Sequence, residues 1–321
     1  MHTPDPPAPR LVLAADLPRD AVRALARSAS GTRLRRGAYW VDPASGRSDP
    51  AGRSDPAGRR RVERARVEAV SRQLDSPHVV SHESAALVWG LPLWTPPSTV
   101  HVVQRHVPGA RRARDVVRHR LPLGPTDVTV VDGIPVTTRE RTVLDCLRTL
   151  HPRDGLVVAD AALRSGVSRD ALVDRVAHTR GRGVVRARAV LDVADRGAES
   201  PGESVVRFEL LRAGLPRPRT QMPLVTRLGR FRADLGWEAW RVLVEFDGLV
   251  KYRELAGGDP GRVLFAEKRR QEAVEEEGWR VLRVTAPDLR DAAGLVARVV
   301  RCIGADRVGA RVRRPGLNTV E

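Results

Sequence analysis

The chain has 321 residues, of which 41% are hydrophobic, and its 56 Lys and Arg residues outnumber 39 Asp and Glu residues to give a net charge of +17. This length and apolar content suit two or three small domains with packed cores. The two cysteines lack the spacing of a metal knuckle or a disulfide framework, and there is neither a signal peptide nor an apolar run long enough for a bilayer. We therefore expect a cytoplasmic protein with no membrane partner.

The excess of positive charge predicts a polyanionic partner. A basic surface attracts phosphate groups and gains affinity when their counterions are released. DNA is the partner we expect, with RNA as an alternative. A solvated arginine-rich surface that reflects a general bias toward arginine is a further interpretation, and the sequence leaves open whether the chain forms a homodimer.

The first 44 residues divide into a proline-containing tail, 1–10, and a predicted DNA-binding head, 11–44. After Asp16, a candidate helix cap, apolar residues recur at helical spacing until Gly31 ends the predicted helix. The following residues alternate as a strand or hairpin that presents three arginines: Arg33, Arg35 and Arg36. A helix followed by a basic strand is typical of a winged helix, with ordinary solvated arginines as the alternative.

A repeat separates this head from the next domain. Residues 46–57 are a perfect tandem hexad, Gly-Arg-Ser-Asp-Pro-Ala, written twice. This composition buries too little apolar surface to offset the cost of ordering, so it predicts a flexible surface insertion over 45–59, to which we assign no function.

Residues 60–165 are predicted to form a mixed α/β domain. A helix over 60–74 precedes a short helix capped by Ser81, and His82 and Glu83 are interpreted as its first residues because neither has a matching partner for a metal or catalytic site. The densest basic segment follows a predicted strand and supplies three more candidate phosphate contacts: Arg111, Arg112 and Arg114.

Two further signals end this domain. Asp132-Gly133 predicts a two-residue hairpin turn, and Thr137 with Glu140 has the spacing of a capping box. Together with Ser81-His-Glu-Ser-Ala-Ala-Leu and Gly90-Leu-Pro-Leu, the segment from Gly133 to Asp145 resembles the AbiEi-type antitoxin and regulator family over roughly residues 15–165. The resemblance implies a winged-helix DNA-binding head, regulatory function and a cognate toxin as a partner.

A predicted helical connector, 166–198, leads to a C-terminal domain, 199–303, and a basic tail, 304–321. At the start of the domain, Glu203 has the position of a helix-capping residue, and a metal-adjacent acid is the alternative interpretation. Alternation places Glu245 and Asp247 on one face of a strand, and in a hairpin Asp234 lies opposite Glu245 or one diagonal step away. Converging carboxylates predict a hard cation, Mg²⁺ or Mn²⁺.

The chain has two lysines, Lys251 and Lys268, and both follow these acids closely. A lysine can lose its proton, whereas arginine stays charged, so either lysine is a candidate for activating water.

The order of these residues, continued by Glu267-Lys-Arg-Arg and Gly278-Trp-Arg-Val-Leu-Arg-Val-Thr, resembles a Vsr-like domain of the PD-(D/E)xK nuclease superfamily over roughly residues 199–300. The resemblance implies a restriction-endonuclease-like αβββαβ core in an α+β or α/β multidomain protein, with Mg²⁺-dependent cleavage of DNA. Its implied catalytic residues are Glu203, Asp234, Glu245, Asp247, Lys251 and Lys268, of which Asp234, Glu245 and Asp247 hold the metal. Arg269, Arg270 and Arg283 are expected to face the nucleic-acid backbone.

One departure favours a second interpretation of this domain. The family places lysine two residues after the glutamate, where this chain has Asp247. A DNA-binding regulator of the AbiEi type with a degenerate nuclease fold is therefore the alternative function.

Overall fold

The computed structural model describes residues 8–28, 31–42, 56–105, 113–248, 260–309 and 311–318. The chain folds as two compact units, one of residues 1–91 with 95–142 and one of residues 92–94 with 143–321. Both units mix helices and strands, which confirms an α+β multidomain architecture. None of the helices in the described ranges combines the length and the apolar character that a bilayer-crossing helix needs.

The first unit begins with a three-stranded antiparallel sheet in the order β1-β3-β2, covered by a long helix. Its elements are β1 Arg10–Leu13, α1 Arg19–Arg27, β2 Gly31–Arg35, β3 Ala38–Val41 and α2 Pro56–Gln73. Leu34 and Trp40 of the sheet pack against Val62 and Ala65 of α2. The apolar residues that recur at helical spacing after residue 60 therefore form the face of α2 that packs on the three-stranded sheet.

The structure does not confirm the predicted winged helix of the head. Within the described residues one α-helix, α1, precedes the β2–β3 hairpin. Asp16 does not cap α1, because Pro18 occupies the N-cap position, and Asp16 instead forms a 3.2 Å ion pair with Arg72. Of the hexad repeat, residues 46–55 lie outside the described residues, whereas Pro56 and Ala57 belong to α2.

The second sheet of this unit has five strands in the order β6-β5-β4-β8-β7. Its elements are β4 Val79–Val80, α3 His82–Val88, β5 Val100–Val103, β6 Val116–His119, β7 Val128–Val131 and β8 Ile134–Thr137. The pairs β5–β6 and β4–β8 are parallel and the other two are antiparallel. Asp132 and Gly133 both have positive φ, +48° and +78°, which confirms the predicted hairpin turn between β7 and β8.

The predicted capping box at Thr137 is wrong by one residue. Thr137 is the last residue of β8, and the helix α4, Arg139–Thr149, starts after Thr138, whose carbonyl accepts the N–H of Thr142. The Thr137 hydroxyl lies 2.7 Å from that of Thr142, so it bonds to a side chain of α4 and does not cap the helix in the predicted way.

The second unit opens with helices and continues as a sheet between helices. Its elements are α5 Pro152–Arg164, α6 Arg169–Ala177, α7 Val184–Val193, α8 Pro201–Arg212, β9 Arg219–Thr226, β10 Gly229–Trp237, β11 Val242–Asp247, α9 Pro260–Glu276, β12 Arg280–Thr285 and α10 Ala292–Ile303. Ser168 and Ser200 cap α6 and α8, since Ser168 accepts from the N–H of Ala171 and Ser200 from that of Glu203, whereas Ser81, the predicted cap of α3, makes no side-chain cap hydrogen bond.

The sheet of this unit has the order β12-β11-β10-β9. Strands β9, β10 and β11 are antiparallel neighbours, and β12 returns through α9 to pair parallel with β11. One apolar cluster joins the sheet to α8 and α10, with Leu210, Val244 and Val299 among its residues, and another joins it to α9 through Leu243 and Val274. The predicted order of helix, three strands, helix and strand is present; its relation to nucleases stays a prediction.

Candidate functional site

The predicted acids lie at one end of the β10–β11 hairpin. In the register of the two strands Leu235 is opposite Val244, and Asp234 and Glu245 are the next residues outward. The Asp234 carboxylate accepts the backbone N–H of Phe246 at 2.7 Å. The sequence allowed Asp234 to lie either opposite Glu245 or one diagonal step away. The observed register continues to the first arrangement, with Asp234 opposite Glu245.

Burial and mutual repulsion dominate the electrostatics of these acids. Burial raises the pKa of Glu203, and the charge of Asp234 raises it further. Burial also raises the pKa of Glu245; Arg270 opposes this increase, and Asp234 adds to it. Glu203 has a structural role as well, because its carboxylate accepts the N–H of Glu199 at 2.8 Å beside the start of α8.

Arginines neutralise the other carboxylates of the cluster. Arg270 donates to Glu245 at 2.7 Å, and Arg283 lies 3.4 Å from Asp247. Glu267 of α9 contacts both arginines, so one continuous network of ion pairs connects Glu245 to Asp247. Arg270 and Arg283 are thus held by carboxylates of their own unit instead of being left for a nucleic-acid backbone.

The remaining predicted residues of this domain lie apart from the acids or outside the described residues. The Lys268 side chain is 75% exposed and its nearest carboxylate partner is Glu272, at 4.0 Å. Arg269 is exposed, with its guanidinium 6.0 Å from the Phe265 ring, and Lys251 falls outside the described ranges.

The described acids do not form a group of three possible metal ligands within 4.8 Å of one another. In the part of the chain that the structure describes, three or more possible metal ligands come within 4.8 Å of one another at one place, and that place is made of histidines. Since Glu245 and Asp247 already have arginine partners, the charge that a metal would supply is provided by the protein. The magnesium site stays a prediction and carries no step of a mechanism.

The predicted arginines of the first unit differ in their availability. Arg33 and Arg36 are exposed on and beside β2, whereas the Nε of Arg35 lies 2.9 Å from the Asp115 carboxylate. Arg114 is exposed. Arg111 and Arg112 lie outside the described residues. Arg33, Arg36 and Arg114 are therefore the predicted phosphate contacts that the structure leaves accessible.

The structure also gives His82 the partners that the sequence interpretation did not find. His101 of β5 and His119 of β6 lie beside it, and one ring nitrogen from each lies within 4.8 Å of the others. These residues are widely separated along the chain and follow no motif spacing. The pairing of β5 with β6 brings His101 and His119 together, and α3 adds His82.

Two curated proteins of Mycobacterium tuberculosis are similar to part of this chain. The uncharacterized proteins MT2308, of strain CDC 1551, and Rv2248, of strain H37Rv, are each 34% identical over 182 residues, which is 56% of this chain. The matched part spans 65% of the length of each relative.

A solved structure gives a weaker likeness. The crystal structure of the RV2827C protein from Mycobacterium tuberculosis is 17% identical, covers 59% of this chain and 72% of that one, and has a TM-score of 0.32, too low to carry an argument.

A family model matches the middle of the chain and includes the five-stranded sheet and the helices α4 to α7. The match does not reach 199–303, so the predicted nuclease relationship of that region is without support from it. The segment 78–193 matches the AbiEi antitoxin C-terminal domain.

Proposed function

We propose that the chain is a DNA-binding regulator of the AbiEi antitoxin kind, which acts with a cognate toxin. The observation that carries this proposal is the family match over 78–193. An antitoxin of this kind is one half of a toxin–antitoxin system, so the second partner is a protein toxin.

Charge supports the DNA-binding part of the proposal. The chain carries a net charge of +17, and the arginines of the head that face solvent can meet phosphate. Arg33 and Arg36 lie on and beside β2, and three consecutive exposed arginines lie near the start of α2: Arg59, Arg60 and Arg61. The proposed DNA contact is made by these side chains on and beside β2 and near the start of α2.

The acidic cluster supports a non-catalytic role for residues 199–303. A nuclease site needs carboxylates that are available to a metal and a cation beside the attacking water. Here Glu245 and Asp247 are paired with arginines, and Lys268 points to Glu272. We propose that residues 199–303 serve as a structural domain of the regulator and do not cleave DNA.

The first experiment is a gel shift with the purified full chain. The probe is the DNA upstream of its own gene, with a shuffled duplex of the same composition and a matched RNA as competitors. A regulator is expected to prefer the upstream DNA over the shuffled duplex. Equal affinity for both duplexes, or preference for RNA, contradicts the proposal.

A pair of double variants tests the proposed contact surface. Arg33→Ala with Arg36→Ala removes two exposed charges of the head, and Arg301→Ala with Arg307→Ala removes two exposed charges of the second unit. The first pair is expected to weaken DNA binding by at least tenfold, and the matched control pair much less. Equal losses would show that net charge, and not this surface, carries the binding.

Two further assays separate regulator from nuclease and identify the toxin. Plasmid and linear DNA are incubated with the protein and Mg²⁺ or Mn²⁺, and we expect no cleavage. Cleavage that disappears in the double variant Asp234→Ala with Glu245→Ala would favour the nuclease interpretation over the regulator.

Co-expression with the protein of the adjacent gene tests the antitoxin part of the proposal. The chain is expected to relieve that protein's toxicity, and no relief contradicts the antitoxin part.

A further inference from the structure

Three histidines from three elements meet inside the first unit. His82 is the first residue of α3, His101 lies in β5 and His119 ends β6. In the parallel β5–β6 pair His101 is opposite Val117 and Val103 is opposite His119, so the two histidines lie on one face of the sheet, two residues apart in register. Helix α3 follows β4 directly and contributes the third ring.

The three rings are in direct contact. The Nδ1 atom of His101 is 3.0 Å from the Nε2 atom of His119. The rings of His82 and His119 stack with their centroids 3.9 Å apart, and that of His101 lies 5.1 Å from that of His119. His82 is 2% exposed and the His101 side chain 17%. Such a group is shielded from water on most sides.

A carboxylate completes the group. The Glu83 carboxylate lies 3.6 Å from His101 Nδ1, and its side chain is 14% exposed. Burial lowers the pKa of His101, and burial together with His101 lowers the pKa of His119 to about 4, against the opposing effect of Glu83. The group therefore brings three imidazoles and one carboxylate, side chains that zinc prefers, to one place.

Local contacts orient two of the rings. The Ser81 hydroxyl lies 2.9 Å from His82 Nδ1, and the Thr99 hydroxyl lies 3.3 Å from His101 Nε2. A partner on one ring nitrogen directs the other toward a ligand. His82 also has a φ of +54°, a left-handed conformation that is unfavourable for a residue with a side chain. Strained residues of this kind concentrate at binding sites.

We propose that His82, His101 and His119 bind a zinc ion, with Glu83 as the fourth ligand. Zinc prefers imidazole and carboxylate ligands in a tetrahedron with bonds of about 2.0 to 2.1 Å, which sets the ligand atoms about 3.3 Å apart. Nδ1 of His101 and Nε2 of His119 are 3.0 Å apart, and one nitrogen of each ring lies within 4.8 Å of the others, so small side-chain rotations suffice. Four protein ligands make a closed, structural site that fastens α3 to β5 and β6.

The test measures metal in the full chain, with any purification tag removed. The protein is stripped with a chelator, reloaded with Zn²⁺ and desalted, and bound zinc is counted by mass spectrometry. We expect one zinc per chain in the wild type and in His178→Gln, whose side chain is exposed at the end of α6. His101→Gln and His119→Gln are expected to lose it.

Wild-type measurements decide the matter even where a variant fails to fold. Co²⁺ in place of zinc is expected to give the intense visible absorption of a tetrahedral site, and Zn²⁺, but not Mg²⁺, is expected to raise the melting temperature of the stripped protein. Ser81→Ala keeps all four ligands and is expected to weaken zinc binding about tenfold. Substoichiometric zinc with no tetrahedral Co²⁺ spectrum would overturn the site and leave a hydrogen-bonded histidine cluster.

Discussion

Asp160 and Arg207 form an ion pair that water scarcely reaches, with side chains 1% and 3% exposed. Arg207 Nη2 donates to both carboxylate oxygens, at 2.7 Å and 2.6 Å, and Ser204 and the N–H of Asp195 supply further hydrogen bonds. A buried charge without its partner is far more costly than the intact pair is stabilising. This pair therefore links α5 to α8, and substitution of one partner alone is expected to lower the stability strongly.

We predict that Asp160→Ala lowers the free energy of unfolding by about 3 to 5 kcal/mol, because it leaves the Arg207 guanidinium buried and unpaired. Urea denaturation measures the change. The double variant Asp160→Leu with Arg207→Met removes both charges and should lose less than the sum of the single variants. Additive losses would contradict the idea that the unpaired charge is the cause.

Asp288 provides a test by pH. Hydrogen bonds from the N–H and the hydroxyl of Thr285 lower the pKa of Asp288, and Arg298 lowers it further. A lowered pKa in the folded state stabilises the fold above the unfolded pKa of about 3.9, and this stabilisation is lost as the pH falls through the folded pKa.

At neutral pH we predict that Asp288→Asn costs about 1 kcal/mol, a modest value because the side chain is partly exposed. The difference from the wild type should shrink as the pH drops below about 4, where the wild-type carboxyl also becomes neutral. Unfolding curves of both proteins across that pH range measure it. A difference that stays constant with pH would show that charge is not responsible.

At the scale of elements, the contact of α8 with β11 depends on the absence of a side chain. A Cβ atom on Gly202 would lie 1.9 Å from the Phe246 ring, which packs against the apolar cluster between α8 and the sheet. Alanine favours a helix by up to about 1 kcal/mol over glycine, but overpacking in a core costs about 1 to 3 kcal/mol. The clash should therefore outweigh the gain.

We predict that Gly202→Ala lowers the free energy of unfolding by about 1 to 2 kcal/mol. Gly155→Ala in α5 is the matched control, because its nearest side-chain atom, on Leu147, lies at 3.3 Å and it should cost less. Thermal or urea unfolding compares the two. Phe246→Leu in the Gly202→Ala protein should restore part of the loss; no restoration would place the cause elsewhere.

Local chemistry made several of these elements predictable. Ser168 and Ser200 sit immediately before apolar helical patterns, and Asp132-Gly133 suits the positive φ angles of its turn. The Thr137 prediction was wrong because β8 pairs with β7 through Thr137, so α4 begins two residues later, at Arg139. The prediction that Asp16 caps α1 was wrong because Pro18 is the residue that precedes the helix.

At the scale of the whole molecule, the decisive contacts join residues that no sequence window contains. The arginine partners of Glu245 and Asp247 come from α9 and β12, and the partners of His82 come from β5 and β6. Periodicity predicted the acidic face of β11, and the resemblance to known families implied the α+β architecture. The sequence did not predict which arginines pair with these acids, since Arg283 reaches Asp247 only because β12 pairs parallel with β11.

The net charge of +17 leads to a prediction about salt. DNA affinity should fall steeply with ionic strength, with a slope of about −0.9 in log affinity against log salt for each phosphate contact. Arg33→Ala with Arg36→Ala should reduce the slope by about 2, and the Arg301 and Arg307 control pair should leave it nearly unchanged. Fluorescence anisotropy over a salt series measures both. An unchanged slope in the first pair would remove these arginines from the contact.

The packing of β3 against α2 has a consequence for the hexad that separates them. Trp40 and Val62 meet in one cluster, so both ends of the intervening segment are anchored to each other independently of its length. Doubling such a connection adds only about 0.6 kcal/mol to the cost of closing it. A chain with three hexads in place of two is therefore expected to retain the packing of β3 against α2.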